Sequence, residues 1–317
     1  MGKSDLGAEE ELSAAGSVAL GGVIVAAVTP RRSDGREVDV AAVLESVDFW
    51  CAAGVQGIAL LGSTGEFLNL TFDERVRLMY MAAKRSRVPM LAGVGHSSLN
   101  GAVELGREAV GSGAAGLLLM PPYFFRYSQD DIREFYLRFA EQMAAHARIF
   151  LYNIPFFTNP LECPTAIELL GSGHFAGIKD SSGRMDYFEG LAAARAQQPF
   201  TLLVGNDVIF APARGAGADG VVSGVASAVP ELLLGLDRAI CAGDNGKIAL
   251  LEGRLHEFIH WLDRLPVPLG IKAATQLRGL QVGPPAVPLS PGSQRALEEF
   301  QEWFPGWLTE VKKEAAA

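Results

Sequence analysis

Two hydrophobic patterns alternate along the chain. Residues 21–28, Gly21-Gly22-Val23-Ile24-Val25-Ala26-Ala27-Val28, are apolar throughout and rich in β-branched side chains. Such a run suits a strand buried on both faces, and Thr29-Pro30 ends it. Residues 38–53 instead bring Val40, Val43, Leu44, Val47 and Trp50 to one side at helical spacing, and Gly54 closes the segment. The same pair of patterns then recurs. Apolar runs at 57–61, 89–94, 116–120, 148–153, 175–180, 200–205 and 220–224 predict seven more strands. Helical patterns at 71–87, 99–111, 128–146, 164–170, 184–197, 207–215 and 230–241 follow them in turn. Thr71 and Glu74 carry the spacing of a capping box.

Eight strand-then-helix units with no antiparallel hairpin signal predict an α/β protein, a (β/α)8 TIM barrel. A doubly wound sheet is the alternative, but a span of about 220 residues suits the barrel better. After Cys241 the strand pattern stops. Residues 244–262, 269–279 and 290–311 read as helices, with a proline-rich segment at 265–288. The chain therefore divides into a flexible N-terminal tail (1–16), a barrel (17–242) and a C-terminal helical region (243–317) packed on the barrel.

Composition narrows the partners. The net charge is -9, which gives no electrostatic support to a nucleic-acid or membrane-surface role. The acidic tail lacks the basic start and apolar middle of a signal peptide, and no apolar run is long enough to span a bilayer. Cys51, Cys163 and Cys241 are scattered and form no CxxC pair, so they read as small buried hydrophobes in a reducing cytoplasm. The five histidines make neither HxxxH nor HExxH, so no metal site is expected. Residues 215–220 match GxGxxG, but they close a helix and precede a strand, the reverse of a dinucleotide fingerprint.

One residue breaks the apolar pattern where it matters. Lys179 ends the run Phe175-Ala176-Gly177-Ile178-Lys179-Asp180. A buried ammonium without a partner is costly. By itself the run favours a lysine that snorkels out or pairs with Asp180. The barrel changes that preference, because barrel active sites lie at the C-terminal ends of the strands. Lys179 sits there on the sixth strand, Tyr152 on the fifth and Gly205 on the seventh, with Val222 near the end of the eighth. Ser63 and Thr64 follow the second strand.

Strand alternation turns Gly177 and Lys179 inward and Ile178 towards the helices, so Gly177 leaves space beneath the amine. Adjacent strands lie about 4.8 Å apart, which brings the Tyr152 hydroxyl within reach of Lys179. The second strand lies opposite the sixth, so the backbone N–H groups and hydroxyls of Gly62-Ser63-Thr64-Gly65 can receive a carboxylate. An amine, a phenol and an anion cradle point to Schiff-base chemistry on a 2-oxo acid, with no cofactor required. Asn206 and Asp207 are further candidates for polar substrate groups, and Glu66 for bracing its loop. Lys3, Lys84, Lys247, Lys272, Lys312 and Lys313 read as solvated.

Gly62-Ser63-Thr64-Gly65-Glu66, Tyr152-Asn153-x-Pro155 and Gly177-Ile178-Lys179-Asp180 resemble the signatures of the dihydrodipicolinate synthase / N-acetylneuraminate lyase family of pyruvate-dependent class I aldolases. Val28-Thr29-Pro30 and Met120-Pro121-Pro122-Tyr123 resemble it too. The resemblance implies a (β/α)8 barrel with a helical C-terminal part, in a homo-oligomer that is usually a tetramer. It implies that Lys179 forms the pyruvate Schiff base and Tyr152 transfers protons. Ser63 and Thr64 would hold the pyruvate carboxylate, with Ser63 supporting a proton relay, while Gly205 and Val222 border the site.

Two positions depart from the synthases proper. Their arginine for the second substrate's carboxylate is replaced by Phe157, and a phenyl ring cannot pair with a carboxylate. Their tyrosine lent to the neighbouring subunit is replaced by Phe124. The expected activity is therefore cleavage or formation of a 4-hydroxy-2-oxo acid or 2-keto-3-deoxy sugar acid, from pyruvate and an aldehyde. A true 4-hydroxy-tetrahydrodipicolinate synthase, and a catalytically silent barrel that binds a 2-oxo acid, are the alternatives.

Overall fold

The computed structural model of the chain describes residues 20–316, so the tail expected at 1–16 lies outside it. The eight apolar runs are strands: β1 (Gly22–Ala26), β2 (Gly57–Leu60), β3 (Met90–Gly93), β4 (Gly116–Leu119), β5 (Ile149–Asn153), β6 (Gly177–Asp180), β7 (Thr201–Val204) and β8 (Gly220–Ser223). All pair in parallel and in chain order, and β8 returns to β1 through Val23↔Val221 and its neighbours, which closes the barrel. Closure explains the unbroken apolar runs. One face of each strand fills the barrel and the other meets the helix layer, so neither face is wet.

The helices between strands are α1 (Val40–Ala53), α2 (Phe72–Arg85), α3 (Leu99–Ser112), α4 (Gln129–Met143), α5 (Cys163–Gly171), α6 (Met185–Ala194) and α7 (Phe210–Gly215). The capping box is present in both halves. Glu74 N donates to Thr71 Oγ1 at 3.2 Å, and Thr71 N donates to Glu74 Oε2 at 2.8 Å. The pattern at 207–215 resolves into a 3-10 turn, Asp207–Ile209, and α7. A short helix that no spacing predicted, α8 (Val225–Ala228), precedes α9 (Pro230–Ala242).

Three further helices follow: α10 (Asn245–Leu262), α11 (Leu269–Leu277) and α12 (Pro291–Ala316). Arg278 ties the end of α11 to the barrel layer, donating to Glu231 at 2.6 Å and to the Ala228 carbonyl at 2.8 Å. Phe258 of α10 packs on Trp307 of α12 with ring centroids 5.1 Å apart. Among the described residues no helix is long and apolar enough to cross a membrane.

Two expectations need correction. The cysteines are not buried hydrophobes: Cys241 is exposed, and Cys51 and Cys163 are only partly covered. Nor does Gly177 leave a space beneath the amine. A Cβ there would lie 2.2 Å from the Thr201 carbonyl oxygen, so the glycine admits the backbone of β7. Backbone cannot step aside as a flexible side chain can. We therefore expect Gly177→Ala to lower the unfolding free energy by roughly 1–3 kcal/mol, read from urea denaturation. An unchanged midpoint would show that β6 and β7 do not approach as closely as described.

Candidate active site

The strand register builds the centre of the site. On β5 and β6, Tyr152 stands directly beside Lys179, and Asn153 beside Asp180. Lys179 is 3% exposed and Tyr152 1%. The Lys179 Nζ lies over the Tyr152 ring, 4.0 Å from its centroid. The amine thus meets the ring face and makes no hydrogen bond to the Tyr152 hydroxyl. Among the described residues Nζ makes no ion pair or hydrogen bond, and the carboxyl that feels its charge is Asp207.

Asp180 is not the partner of Lys179. Its carboxylate accepts from Asn153 Nδ2 and from Ser182 Oγ, each at 2.7 Å. Burial raises its pKa, and the bonds from Ser182 and Asn153 act against that rise. Asn153 in turn accepts from the Leu161 amide at 3.1 Å, which fixes the loop after β5.

Gly205 supplies the space that the sequence reading gave to Gly177. A Cβ at Gly205 would lie 2.1 Å from Ser181 Oγ and 2.7 Å from Lys179 Cε. The glycine therefore makes room for the lysine stem. Val222 is buried in β8 beside Ile24.

Ser63 and Thr64 occupy the loop after β2, between Leu61 at φ 60° and Glu66 at φ 50°. Thr64 reaches the segment after β8, two strands away round the barrel, with its Oγ1 3.3 Å from where a Gly224 Cβ would stand. The two hydroxyl residues divide two cavities between them. Ser63, Tyr123, Ile154 and Phe157 help to wall one of about 530 Å³. Thr64, Gly205, Asp207 and Val225 help to wall another of about 400 Å³. Lys179, Tyr152 and Val222 belong to neither wall and are buried. Phe157 is 57% exposed at the edge of the larger cavity, beside Phe156 at 69%. No cluster of His, Cys, Asp or Glu that could hold a metal ion occurs among the described residues.

A model of the Dihydrodipicolinate synthetase family matches residues 19–304. The chain belongs to that family. A 4-hydroxy-tetrahydrodipicolinate synthase from Methanosphaerula palustris is 31% identical over 274 residues, which cover 84% of this chain and 92% of the relative. A DapA-like lyase from Halobacterium salinarum is 35% identical over 240 residues, covering 75% and 78%. The structure of an E. coli prophage protein of the dihydrodipicolinic acid synthase family, in complex with pyruvate, has 26% identity and a TM-score of 0.84. That likeness covers 91% of this chain and 98% of the prophage protein. As a dihydrodipicolinate synthetase family member, the chain is a pyruvate-dependent lyase, a class I aldolase.

Two charged features of this family member lie outside the core motifs. Lys272, read as solvated, is in fact 3% exposed and pairs with Glu66 at 2.9 Å. Its signal was the one that singled out Lys179, a lysine within an apolar run, here Leu269-Gly270-Ile271-Lys272-Ala273-Ala274. Asp207 borders the smaller cavity with its Oδ1 fully enclosed and unpartnered. Burial pushes its carboxyl up to about 6, against the opposing effects of the Ser223 hydroxyl, the Val225 and Gly224 backbone and the Lys179 charge.

The sign of the pH effect follows. The unfolded carboxyl ionises near 3.8, so at intermediate pH the folded protein holds a proton that the unfolded chain has released. Relative to Asp207→Asn, wild-type stability is greatest below the unfolded pKa, falls as pH rises through the folded one and then levels. The loss amounts to roughly 1–3 kcal/mol. Denaturant unfolding of both proteins across this range measures it. A difference independent of pH would show that the carboxyl is not enclosed.

Proposed function

We propose that Lys179 forms an iminium with pyruvate, and that the protein makes or cleaves the C3–C4 bond of a 4-hydroxy-2-oxo acid or 2-keto-3-deoxy sugar acid. The observation that carries this reading is the buried Lys179 amine, in no ion pair or hydrogen bond among the described residues, lying on the face of Tyr152. The amine adds to the keto carbon and water leaves. The iminium then draws electrons from the breaking bond. In the cleavage direction the 4-hydroxyl gives up its proton, C3–C4 breaks, the aldehyde departs and an enamine remains. Protonation at C3 and hydrolysis release pyruvate. Tyr152, whose ring lies against the Lys179 amine, carries the protons. Ser63 and Thr64 hold the carboxylate, while Gly205 and Val222 bound the reacting end.

The walls favour an uncharged aldehyde. Phe157 borders the larger cavity, whose charged members, Glu66 and Lys272, neutralise each other. A second reading, condensation of pyruvate with aspartate semialdehyde, has support from the name of the Methanosphaerula relative. Exposed Phe124, Phe125, Phe156 and Phe157 suit a homo-oligomer, dimer or tetramer, that covers them. Three free cysteines suit a reducing cytoplasm.

Borohydride treatment with pyruvate should add a reduced pyruvyl group to Lys179, located by peptide mass mapping, and none in Lys179→Ala. A folded wild type that gains no mass would refute the Schiff base. A screen of aldehydes with pyruvate should show faster turnover with uncharged hydroxyaldehydes than with aspartate semialdehyde. The reverse order would establish the second reading.

A further inference from the structure

Buried Lys272 and partly buried Glu66 form an ion pair between parts of the chain 206 residues apart. Lys272 Nζ lies 2.9 Å from Glu66 Oε2, and its other partner is the Pro284 carbonyl at 3.4 Å. Desolvating two charges cancels much of their attraction, so a buried pair is weak evidence for a stabilising role. Its geometry says more.

Glu66 ends the loop that carries Ser63 and Thr64. Two residues bracket those hydroxyls in the left-handed backbone region, Leu61 at φ 60° and Glu66 at φ 50°. Neither is glycine, so the loop is strained and needs holding at both ends. Within it, Gly65 N donates to the Gly62 carbonyl at 3.1 Å and Glu66 N to the Ser63 carbonyl at 3.0 Å. Those turns set the local shape but do not fix the loop against the barrel. The Leu61 side chain, 1% exposed, anchors one end in the core. The ion pair to Lys272 anchors the other. Lys272 itself is well mounted, because Arg278 binds the end of α11 to Glu231 and the Ala228 carbonyl.

We infer that Lys272 and Glu66 are positioning residues: their ion pair holds the Ser63-Thr64 loop where it receives the carboxylate of a 2-oxo acid at Lys179. This rests on the Schiff-base reading above. Loss of the pair loosens the carboxylate cradle while leaving Lys179 and Tyr152 in register, so it weakens pyruvate capture more than it slows the chemistry.

The test is borohydride trapping across a pyruvate titration, with thermal unfolding alongside, for wild type, Glu66→Gln, Lys272→Met and the double variant. Lys272→Met leaves the partly buried Glu66 without its cation and should melt lower. The double variant leaves no orphan charge and should regain much of that loss. Half-saturation by pyruvate should nevertheless rise about tenfold or more in both, with trapping at saturation still on Lys179. Glu66→Gln keeps an acceptor for Lys272 and should show a smaller rise. Half-saturation that returns to the wild-type value together with the melting temperature would make the pair merely structural and overturn the inference. So would unchanged half-saturation in every variant. A wild type that forms no adduct would overturn the Schiff-base reading and this inference with it.

Discussion

The amine of Lys179 rests on the face of Tyr152 because β5 and β6 pair in the register that sets those two residues side by side. The rest of the site depends on that pairing. A slip by one residue would turn Lys179 into the helix layer and bring Ile178 inside. The closed barrel resists such a slip, because every strand is held on both edges and β6 cannot move without β7. Gly177 and Gly205 let the register exist. The first admits the β7 backbone, and the second admits the lysine stem. Neither contributes a reactive group, yet a methyl at the first would meet the β7 backbone and one at the second would displace Lys179.

The protein buries two lysines near the mouth of the barrel and treats them differently. Both are 3% exposed. Lys272 has a carboxylate at 2.9 Å, so its charge is committed to holding two segments together. Lys179 has a ring face and, among the described residues, no ion pair. Burial alone does not mark an amine for chemistry; what matters is whether its protons and lone pair are already engaged. The same contrast separates two aspartates. Asp180 is saturated by Asn153 and Ser182, whereas Asp207 keeps an enclosed oxygen with no partner beside the cavity.

The fold was legible because a closed parallel barrel leaves a coarse trace: eight apolar runs, each followed by a helical period. Lys179 and Tyr152 were legible because both stand at strand ends, where the barrel converts position along the chain into position in space. What escaped depends on partners distant in sequence. Apolar spacing reports that a residue is buried but not what it meets, so Gly177 was assigned the wrong neighbour. Lys272 on α11 was read as solvated because Glu66 lies 206 residues away. The four residues of α8 are too few to show a period.

The two ends of the site draw on different parts of the chain. The reacting end is built from strands and the loop after β2, where backbone pairing dictates geometry and few substitutions fit. The larger cavity, proposed above for the aldehyde, is walled by Phe157 and by segments beyond the barrel, including Pro268, Leu269, Pro285 and Val287. Those side chains are bound by no strand register and can change while the barrel stays intact. Similarity spread over residues 19–304 therefore transmits the pyruvate chemistry more faithfully than the identity of its partner. Phe157 in place of a cation is the kind of change this division permits. It changes the cavity wall without touching the register that sets Lys179 against Tyr152.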